Sequence, residues 1–313
     1  MDISFVIPAK DEVKTIAPLT AEIVTAMQHR PELRYEIIFV DDGSTDGTRE
    51  WLQDVTAGGS SVRALLNERN LGFAGACNRG AAAATGELLF FLNNDLVFRP
   101  GWLEPMRAAF ARYADAALVG NVQLEAVTRA CDHTGLRFNH KAKPEHDTRR
   151  PWLARLVGYR RVPAVTGACF AIRRELWRSL GGFDEGFRNG GEDVDLCLRA
   201  LAAGHSNYVA FRSVVLHHVS ASPGRKLRDE ANSRRLMVRW QHDLIPLAAR
   251  AWSAHFIATH WDQSFVYDDA LGRGALYHWL GVLPEAPEQV QEGVREAIHH
   301  ELTRWAQILP ASR

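Results

Sequence analysis

The feature that most constrains the fold of this chain is the alternation of short apolar runs with helical patterns over residues 1–115. Four runs of strand length lie at residues 3–7, 35–40, 62–66 and 88–92. Helical patterns follow them at residues 13–28, 44–52, 73–84 and 102–113. Such an alternation predicts a mostly parallel sheet with helices on both faces. We therefore expect a fold of the α/β class.

Two of the predicted strands end directly in polar runs, which are DDGS at residues 41–44 and NND at residues 93–95. Ligands of parallel sheets bind at the carboxyl ends of the strands. At that edge, the aspartates of the first run can bond a pyrimidine base or ribose hydroxyls. Asp95 can bind a divalent cation, because Mg²⁺ and Mn²⁺ prefer oxygen ligands. Tight turns and helix caps are the alternative interpretation of both runs.

Two glycine-containing segments open predicted helices. NLGFAG at residues 70–75 lets the backbone approach a phosphate, although it lacks the GxGxxG dinucleotide pattern. Close packing of the helix on the sheet is the alternative interpretation.

GGEDVD at residues 190–195 places acidic side chains in a first helical turn. The helix dipole stabilises such residues by roughly 0.3–1 kcal/mol and would explain them without a function. The functional alternative is that Asp193 acts as a general base toward an acceptor hydroxyl.

The second half of the chain is less regular. Strands are predicted at residues 117–124 and 165–172, and helices at residues 174–180 and 192–203. Residues 128–161 are polar and basic, and we expect them to form a flexible flap on the acceptor side, because long loops in compact domains are usually functional or mobile. His217 and His218 end an apolar run, and neighbouring strand residues point to opposite faces. At most one of them should face the site.

Composition limits the classes of partner and compartment. Lys+Arg 37 equals Asp+Glu 37, so no net field attracts nucleic acid or an anionic membrane. The four cysteines form no CxxC pair, which argues against a zinc site or a disulfide framework. The N-terminus lacks a signal-peptide pattern, and no apolar run approaches the ~20 residues that span a bilayer. We expect a soluble, cytoplasmic protein.

Six segments, taken together and in their order, resemble the family 2 inverting glycosyltransferases of the GT-A fold, especially the branch with bacterial rhamnosyltransferases. They are FVIPAKDE, EIIFVDDGSTDGT, NERNLGFAGACNRGAAAATGELLFFLNND, VTGACFAIRRELWRSLGGFDEGF, GEDVDLCLRALAAG and LHHVSAS, and they span about residues 3–224. The resemblance implies a UDP-, dTDP- or GDP-linked sugar donor and a saccharide or other hydroxyl acceptor, such as a surface polysaccharide precursor. It also implies a divalent metal, Mn²⁺ or Mg²⁺.

The resemblance implies roles for single residues. Asp193 matches the catalytic base, and Asp95 and His217 match the metal ligands. Asp41 would lie near the nucleotide base and Asp42 near the ribose. The other residues implied in substrate binding are Pro8, Glu12, Asn70, Gly72, Asn78, Asn94, Thr166, Gly167 and Glu192, with Thr166 and Gly167 near the reacting sugar.

Two positions depart from the family pattern. Asn93 stands where the family commonly has the first Asp of its DxD motif, which lowers the negative charge of the site. Lys10 and Asp11 replace the commoner Tyr-Asn after the first strand, so the nucleotide preference is not carried over.

The predicted organisation is a GT-A domain at residues 1–224 with a nucleotide-sugar half at 1–115 and an acceptor half at 116–224. Residues 225–313 are predicted to form a helical extension rich in Trp and His. A helical cap that buries its tryptophans is the simplest interpretation of the extension. An acceptor platform, a homodimer interface and a peripheral contact with the inner membrane face are the alternatives.

The predicted activity is inverting, metal-assisted glycosyl transfer with Asp193 as the base. A catalytically silent module that binds sugars or nucleotides is the second hypothesis, and Asn93 motivates it. The third is a sugar nucleotidyltransferase, which would need a Gly-rich loop with Arg and Lys near the first strand; only Lys10 is present there.

Overall fold

The computed structural model describes residues 1–58, 61–149, 156–218, 229–263 and 269–309. The chain divides into two compact units. The first contains Met1–Leu136 and His146–Arg225, and the second contains Arg137–Glu145 and Lys226–Arg313. The predicted break at residues 222–224 lies outside the described residues.

Strands and helices alternate in the first 112 residues. The strands are β1 (Ile3–Ala9), β2 (Tyr35–Asp41), β3 (Val62–Leu66), β4 (Leu88–Leu92) and β5 (Leu96–Val97). The helices are α1 (Ile16–Gln28), α2 (Thr48–Ala57), α3 (Gly72–Ala83) and α4 (Leu103–Arg112). The near-continuous burial of β1, β2 and β4 is typical of strands that are covered on both faces.

The rest of the chain adds more strands to the sheet, a small hairpin and further helices. The strands are β6 (Ala116–Glu125), β7 (Cys131–His133), β8 (Leu136–Phe138), β9 (Pro144–His146), β10 (Tyr159–Val162), β11 (Cys169–Arg173) and β12 (Ser206–His217). The helices are α5 (Arg174–Leu180), α6 (Glu192–Ala202), α7 (Asp229–Trp240), α8 (Leu244–His260), α9 (Ala270–Leu280) and α10 (Glu288–Ile308).

Within the described residues, a ten-stranded sheet has the order β10-β12-β6-β11-β4-β1-β2-β3, with β5 added to β12 and β7 added to β6. Strands β4, β1, β2 and β3 are parallel, and β12 is parallel to β6. Strand β11 runs antiparallel to β4 and β6 and joins the two parallel groups. The predicted mostly parallel α/β sheet is confirmed. The carboxyl ends of β1, β2 and β4 therefore lie along one edge.

The core lies on both faces of the parallel strands. Phe90 and Phe91 are consecutive in β4, and consecutive strand residues point to opposite faces. The Phe90 ring is 6.1 Å from that of Trp102. The Phe91 ring stacks between Phe170 at 4.8 Å and Trp177 at 4.4 Å. All five side chains are buried, so β4 is fixed by apolar packing on either side.

The predicted boundaries of four elements were wrong, and one of these is α2, which spans Thr48–Ala57 and not residues 44–52. Strand β1 does not end at residue 7, where the predicted run ends before Pro8, but continues to Ala9. Pro8 lies beyond the last β1–β4 pair, formed by Val6 and Phe91, so its missing N–H breaks no bond to β4. Helix α1 begins at Ile16, not at residue 13, because the loop before it is bonded to side chains after β2. The strand predicted at residues 165–172 is β11, which begins only at residue 169.

The region at residues 128–161 was predicted to be one flexible flap, and this was wrong for its described part. Residues 131–133 form β7 on the edge of β6, and β8 pairs with β9 in a two-stranded hairpin. Tyr159–Val162 is β10, paired with β12. Short strands with few apolar residues give a weak alternation signal, which explains the error. Residues 150–155 lie outside the described residues.

A buried glutamate joins the N-terminal strands. The side chain of Glu36 in β2 accepts hydrogen bonds from Ser4 at 2.7 Å, from Thr85 Oγ1 at 2.6 Å and from Arg63 at 2.6 Å. Burial opposes ionisation, but these bonds lower the pKa of Glu36 from its usual 4.5 to about 2. A Cβ on Gly86 would lie 2.5 Å from the backbone nitrogen of Ser4, so the loop before β4 needs a glycine to close on this cluster.

The second unit is held around another buried carboxylate. Glu301 of α10 is 2% exposed. Its oxygens lie 2.7 Å from Lys143 Nζ and 3.0 Å from Arg304 Nε. Burial opposes ionisation, but these contacts lower the pKa of Glu301 to about 2. Lys143 also lies 4.8 Å above the ring of Trp305, which is fully buried. The segment 137–145 is therefore part of the helical unit. No helix in the described ranges is long and apolar enough to cross a membrane.

We predict that Glu36→Gln lowers the free energy of unfolding by about 1–3 kcal/mol near neutral pH, because charge-assisted bonds are weakened. Since folding depresses the pKa of Glu36, its contribution is fully present above pH 4.5 and is lost as the pH falls toward 2. Urea denaturation of both proteins at several pH values measures the difference.

Glu50→Gln, at an exposed position of α2, is the matched control and should change stability by less than about 0.5 kcal/mol. A loss in Glu36→Gln that stays constant down to pH 2 would show that the charge is not its cause.

Candidate active site

The segments that follow β1, β2 and β4 are bonded to one another at the carboxyl edge of the sheet. Ala9 lies opposite Asp41 at the end of the β1–β2 pair. Asp11, which has a φ of 57°, accepts the N–H of Thr45 at 2.8 Å. Asn94 donates to the carbonyl oxygen of Pro8 at 3.2 Å. The NND run and the DDGS run are therefore parts of one surface, although about fifty residues separate them.

Asp95 and His217 meet at this edge. Asp95 precedes β5, and β5 pairs antiparallel with β12 so that Leu96 lies opposite His217. His217 Nε2 is 3.4 Å from Asp95 Oδ1, and His217 Nδ1 is 3.3 Å from Asp132 Oδ2. Burial alone would lower the pKa of His217, but the hydrogen bonds to Asp132 and Asp95 raise it to about 9. His218 is exposed, so only one of the two histidines faces this edge.

Asp193 lies in the first turn of α6 and is held by backbone donors. The helix begins after Gly190 and Gly191, whose φ angles of 149° and 93° are accessible to glycine. Asp193 Oδ2 accepts the N–H of Gly167 at 2.7 Å, and Oδ1 accepts the N–H of Val194 at 2.8 Å. The half-buried carboxylate is therefore fixed in one orientation.

The segment at residues 166–168 links the separate groups of the site. The N–H of Thr166 points to Nε2 of His133 at 3.4 Å, and the carbonyl oxygen of Ala168 accepts the N–H of Asn93 at 2.8 Å. Gly167, between them, bonds Asp193. A Cβ on Gly167 would lie 3.3 Å from Asp193 Cβ, so a side chain there would press on the carboxylate. The close approach depends on glycine.

Asp41 is fully buried and forms an ion pair. Its Oδ2 accepts two hydrogen bonds from Arg49, at 2.9 and 2.7 Å, and its Oδ1 accepts the N–H of Ser44 at 3.2 Å. Arg49 also donates to the carbonyl oxygen of Asn67 at 2.6 Å. Asp41 thus joins the end of β2 to α2 and, through Arg49, to the loop after β3. Its predicted place near the nucleotide base remains a prediction.

Asp42 holds the loop that leads into α3. Its Oδ1 accepts hydrogen bonds from Asn67 Nδ2 at 2.7 Å and from the N–H of Leu71 at 2.8 Å, and its Oδ2 accepts the N–H of Gly72 at 2.9 Å. Gly72 has a φ of 81°, which a residue with a side chain rarely adopts. Asn70 Oδ1 accepts the same N–H at 2.8 Å.

Three further predicted residues are engaged in local bonds. The side chain of Asn78 donates to the carbonyl oxygen of Phe183 and accepts its N–H, at 2.9 Å each. These bonds connect α3 to the loop after α5. Glu12 accepts the hydroxyl of Thr15 at 2.9 Å, and burial raises its pKa. Glu192 is buried and accepts the N–H of Gly190 at 2.8 Å. Their predicted contacts with substrate remain predictions.

The sequence prediction missed three residues of this region. Arg49 neutralises Asp41, and Asp132 contacts His217 from the region predicted to be a flap. Asn189 has a φ of 56°, and its Oδ1 lies 3.4 Å from the backbone nitrogen of Phe73. An Asn before two glycines was a detectable signal of a left-handed turn. No comparable pattern marks the other two.

Residues 4–181 match the model of the family described as Glycosyl transferase family 2. The match covers more than half of the chain, including β1 to β4, the NND run and the 166–168 segment. The chain belongs to glycosyl transferase family 2. The resemblance seen in the six sequence segments is therefore confirmed.

Curated relatives agree with this assignment. N-acetylglucosaminyl-diphospho-decaprenol L-rhamnosyltransferase of Mycobacterium tuberculosis is 26% identical over 251 residues, covering 70% of this chain and 78% of the relative. The O-antigen biosynthesis protein RfbC of Myxococcus xanthus is 30% identical over 232 residues, covering 70% of this chain and 17% of the relative. The chain spans only 17% to 40% of the length of the first relatives it matches.

Solved structures share the fold. GalNAc-T7 with UDP, GalNAc and Mn²⁺ has a TM-score of 0.60 and 20% identity, covering 82% of this chain and 50% of that chain. The mannosyltransferase PcManGT from Pyrobaculum calidifontis, in complex with GDP-Man and Mn²⁺, has a TM-score of 0.57 and 14% identity, covering 98% and 88%. S. aureus TarS 1–349 in complex with UDP-GlcNAc has a TM-score of 0.58 and 15% identity, covering 98% and 92%. The predicted GT-A fold is confirmed.

Asp95 and His217 are suitable ligands for a divalent cation that is also bound by the phosphates of the enzyme's substrate. Across the described ranges, no group of three or more His, Cys, Asp or Glu side chains is placed to hold a metal ion. Asp95 and His217 are nonetheless 3.4 Å apart, close enough to bind one ion together. Mg²⁺ commonly takes one or two carboxylates and completes its shell with substrate phosphates and water. The imidazole makes Mn²⁺ suitable as well.

We predict that Asp42→Ala destabilises the protein by about 3 kcal/mol, because it leaves the buried amide of Asn67 and the part-buried N–H of Leu71 without their acceptor. Urea denaturation near neutral pH measures the change. Asp54→Ala, at an exposed position of α2, is the control and should stay within about 0.5 kcal/mol of the unsubstituted protein. Equal stabilities of the two variants would contradict a structural role for Asp42.

Proposed function

We propose that this family 2 member is an inverting glycosyltransferase that moves a sugar from a nucleoside-diphosphate sugar to a hydroxyl acceptor with the help of a divalent cation. The observation that carries the proposal is the approach of Asp95 to His217 at the sheet edge where Gly167 holds Asp193. The rhamnosyltransferase among the relatives and the sugar nucleotides in the neighbouring structures support it.

The nucleotide would bind along the carboxyl ends of β1 and β2. Asp41 would lie near the base, and Asp42 keeps about one acceptor position for a ribose hydroxyl after its three internal bonds. The carbonyl of Pro8 is already bonded to Asn94. The N–H groups at the start of α3 are already engaged, since those of Leu71 and Gly72 bond Asp42 and that of Phe73 points to Asn189.

Asp95 and His217 would hold the cation through one carboxylate oxygen and one imidazole nitrogen. When bound, Mn²⁺ or Mg²⁺ neutralises the negative charge that develops on a departing diphosphate. Asn93 contributes no charge to this set. Its backbone N–H bonds Ala168, and that bond is independent of its side chain.

Asp193 would take the proton of the acceptor hydroxyl as that oxygen attacks the anomeric carbon. Its two bonds to backbone N–H groups fix the orientation of the carboxylate toward the acceptor. Each carboxylate oxygen retains a further lone pair for the hydroxyl. Glu192, its neighbour, faces inward and stabilises the Gly190 turn.

A single displacement inverts the anomeric centre when the base and the leaving group lie on opposite faces of the sugar. Asp193 is bonded to Gly167, and the carbonyl oxygen of the next residue, Ala168, accepts the N–H of Asn93. Asp95 lies two positions after Asn93 in the chain. This short path keeps the base and the cation ligands in fixed relative positions. With the base and the cation ligands held in this way, the sugar would pass directly to the acceptor without a covalent sugar–enzyme intermediate.

The second candidate function is a module that binds sugars or nucleotides without turnover. The replacement of a family Asp by Asn93 favours it, since the site then has one carboxylate fewer for a cation. Hydrolysis of the donor, measured with and without Mn²⁺, separates the two: a silent module hydrolyses nothing and does not respond to the metal.

We predict that Asp193→Asn lowers turnover by at least about 100-fold, because a positioned base contributes roughly that much or more. Donor binding, measured by calorimetry on the folded protein, should stay close to that of the unsubstituted enzyme. The melting temperature should fall, because the amide can accept only one of the two backbone N–H bonds. Equal losses of turnover and of donor binding would contradict the role of base.

Asp195→Asn on the same helix turn is the contrasting variant. Asp195 is fully buried and bonds Arg199 at 2.8 Å, so its loss should lower the melting temperature. The folded fraction of this variant should keep most of its turnover, since the side chain faces the interior.

We also predict that one class of sugar nucleotide raises the melting temperature more with Mn²⁺ than without it. A screen of UDP-, dTDP- and GDP-sugars by thermal shift tests this, because a ligand that binds only the folded state stabilises it. The Asp95→Asn variant should lose the effect of the metal. Stabilisation by none of the three classes would count against a nucleoside-diphosphate donor.

A further inference from the structure

Asp132 lies at an irregularity in the sheet that turns its side chain toward His217. In the β6–β7 pair, Gln123 lies opposite His133 and Leu124 lies opposite Cys131, with a register shift between the two pairs. Gln123 and Leu124 are consecutive on β6, but their partners His133 and Cys131 are two positions apart on β7. Asp132, between these partners, is therefore the extra residue. This is a β-bulge, a feature that redirects side chains and is common beside active sites.

His217 lies between two flanking segments. On one side it is opposite Glu125 of β6, and on the other it is opposite Leu96 of β5. Its carbonyl oxygen accepts the N–H of Ala126 at 3.0 Å, so its backbone is fixed. The ring is then in contact with a carboxylate at each nitrogen, Asp132 Oδ2 at Nδ1 and Asp95 Oδ1 at Nε2.

An imidazole that binds a cation must present a lone pair at one nitrogen and carry its proton on the other. Histidine ligands of metals commonly donate that second N–H to a carboxylate, which fixes the tautomer and the orientation of the ring. The 3.3 Å contact of Asp132 with Nδ1 has this geometry, and it leaves Nε2 directed toward Asp95.

We infer that Asp132 is a positioning residue of the cation site, which accepts the Nδ1–H of His217 and thereby directs Nε2 to the cation held with Asp95. The inference rests on the proposed function, because it requires a cation at Asp95 and His217. It adds a carboxylate from a region without an assignable sequence pattern, and it gives the bulge of β7 a role in the reaction.

The test is direct binding of Mn²⁺, measured from the loss of the free-ion signal in electron paramagnetic resonance, without any turnover. Asp132→Ala should raise the dissociation constant by about 10- to 100-fold, the usual effect of removing such a partner. Asp132→Asn keeps an acceptor without the charge and should give a smaller increase. The side chain of Asp132 is 26% exposed, so both variants are expected to fold.

Two controls frame the result. Asp95→Asn removes a proposed ligand and should weaken Mn²⁺ binding at least as much as Asp132→Ala does. Asp54→Ala removes an exposed carboxylate of α2 and should leave Mn²⁺ binding unchanged. Melting temperatures, recorded without metal, should be similar for Asp132→Asn and the unsubstituted protein, which separates positioning from a general loss of structure.

The outcomes distinguish the two proposals. Weaker binding in Asp132→Ala, with an intermediate value in Asp132→Asn, supports the positioning role. Unchanged binding in both Asp132 variants, together with weak binding in Asp95→Asn, overturns the role of Asp132 and leaves the cation site in place. A lack of Mn²⁺ binding by the unsubstituted protein overturns the positioning role and a cation site formed by the protein alone, and metal assistance would then require the phosphates of the donor.

Discussion

The hydrogen bond from the backbone N–H of Gly167 to Asp193 is the contact on which the arrangement of the site depends. Because β11 begins only at Cys169, the three residues before it use their polar backbone groups on His133, Asp193 and Asn93 instead of on the sheet. A backbone donor has no rotamers to lose, so it positions a carboxylate at less entropic cost than a side chain would. The absence of a Cβ on Gly167 allows the contact.

The acidic residues at the strand ends divide into two groups with different physical roles. Asp41 and Asp42 are buried, and their oxygens accept bonds from Arg49 and from the loop that begins α3. Buried carboxylates of this kind need their partners, since an uncompensated charge away from water is costly. They make the carboxyl end of β2 and the loop before α3 rigid. Asp95 and Asp193 are less buried.

The regular part of the fold was predictable because its signals are local. The apolar runs predicted β1 to β4 and the helical patterns predicted α1 to α4, with errors at the end of β1, at the start of α1 and at both ends of α2. Those errors arose from long-range contacts, such as the bond between the N–H of Glu12 and Thr48. The strands at residues 131–146 were missed, since β7 is formed by pairing with β6 and not by its own composition. For the same reason Asp132 had no signal in the sequence.

By itself, the sequence determined the α/β class, the family and the residue types available at the carboxyl edge, because strand and helix periods and the order of motifs are written in neighbouring residues. The tertiary structure alone decided which of these residues meet. It paired Asp95 with His217 across more than 120 positions, joined Arg49 to Asp41, and brought Asp132 to the imidazole through a bulge. Sheet order and register fix such distances, and neither is encoded in any single segment of the chain.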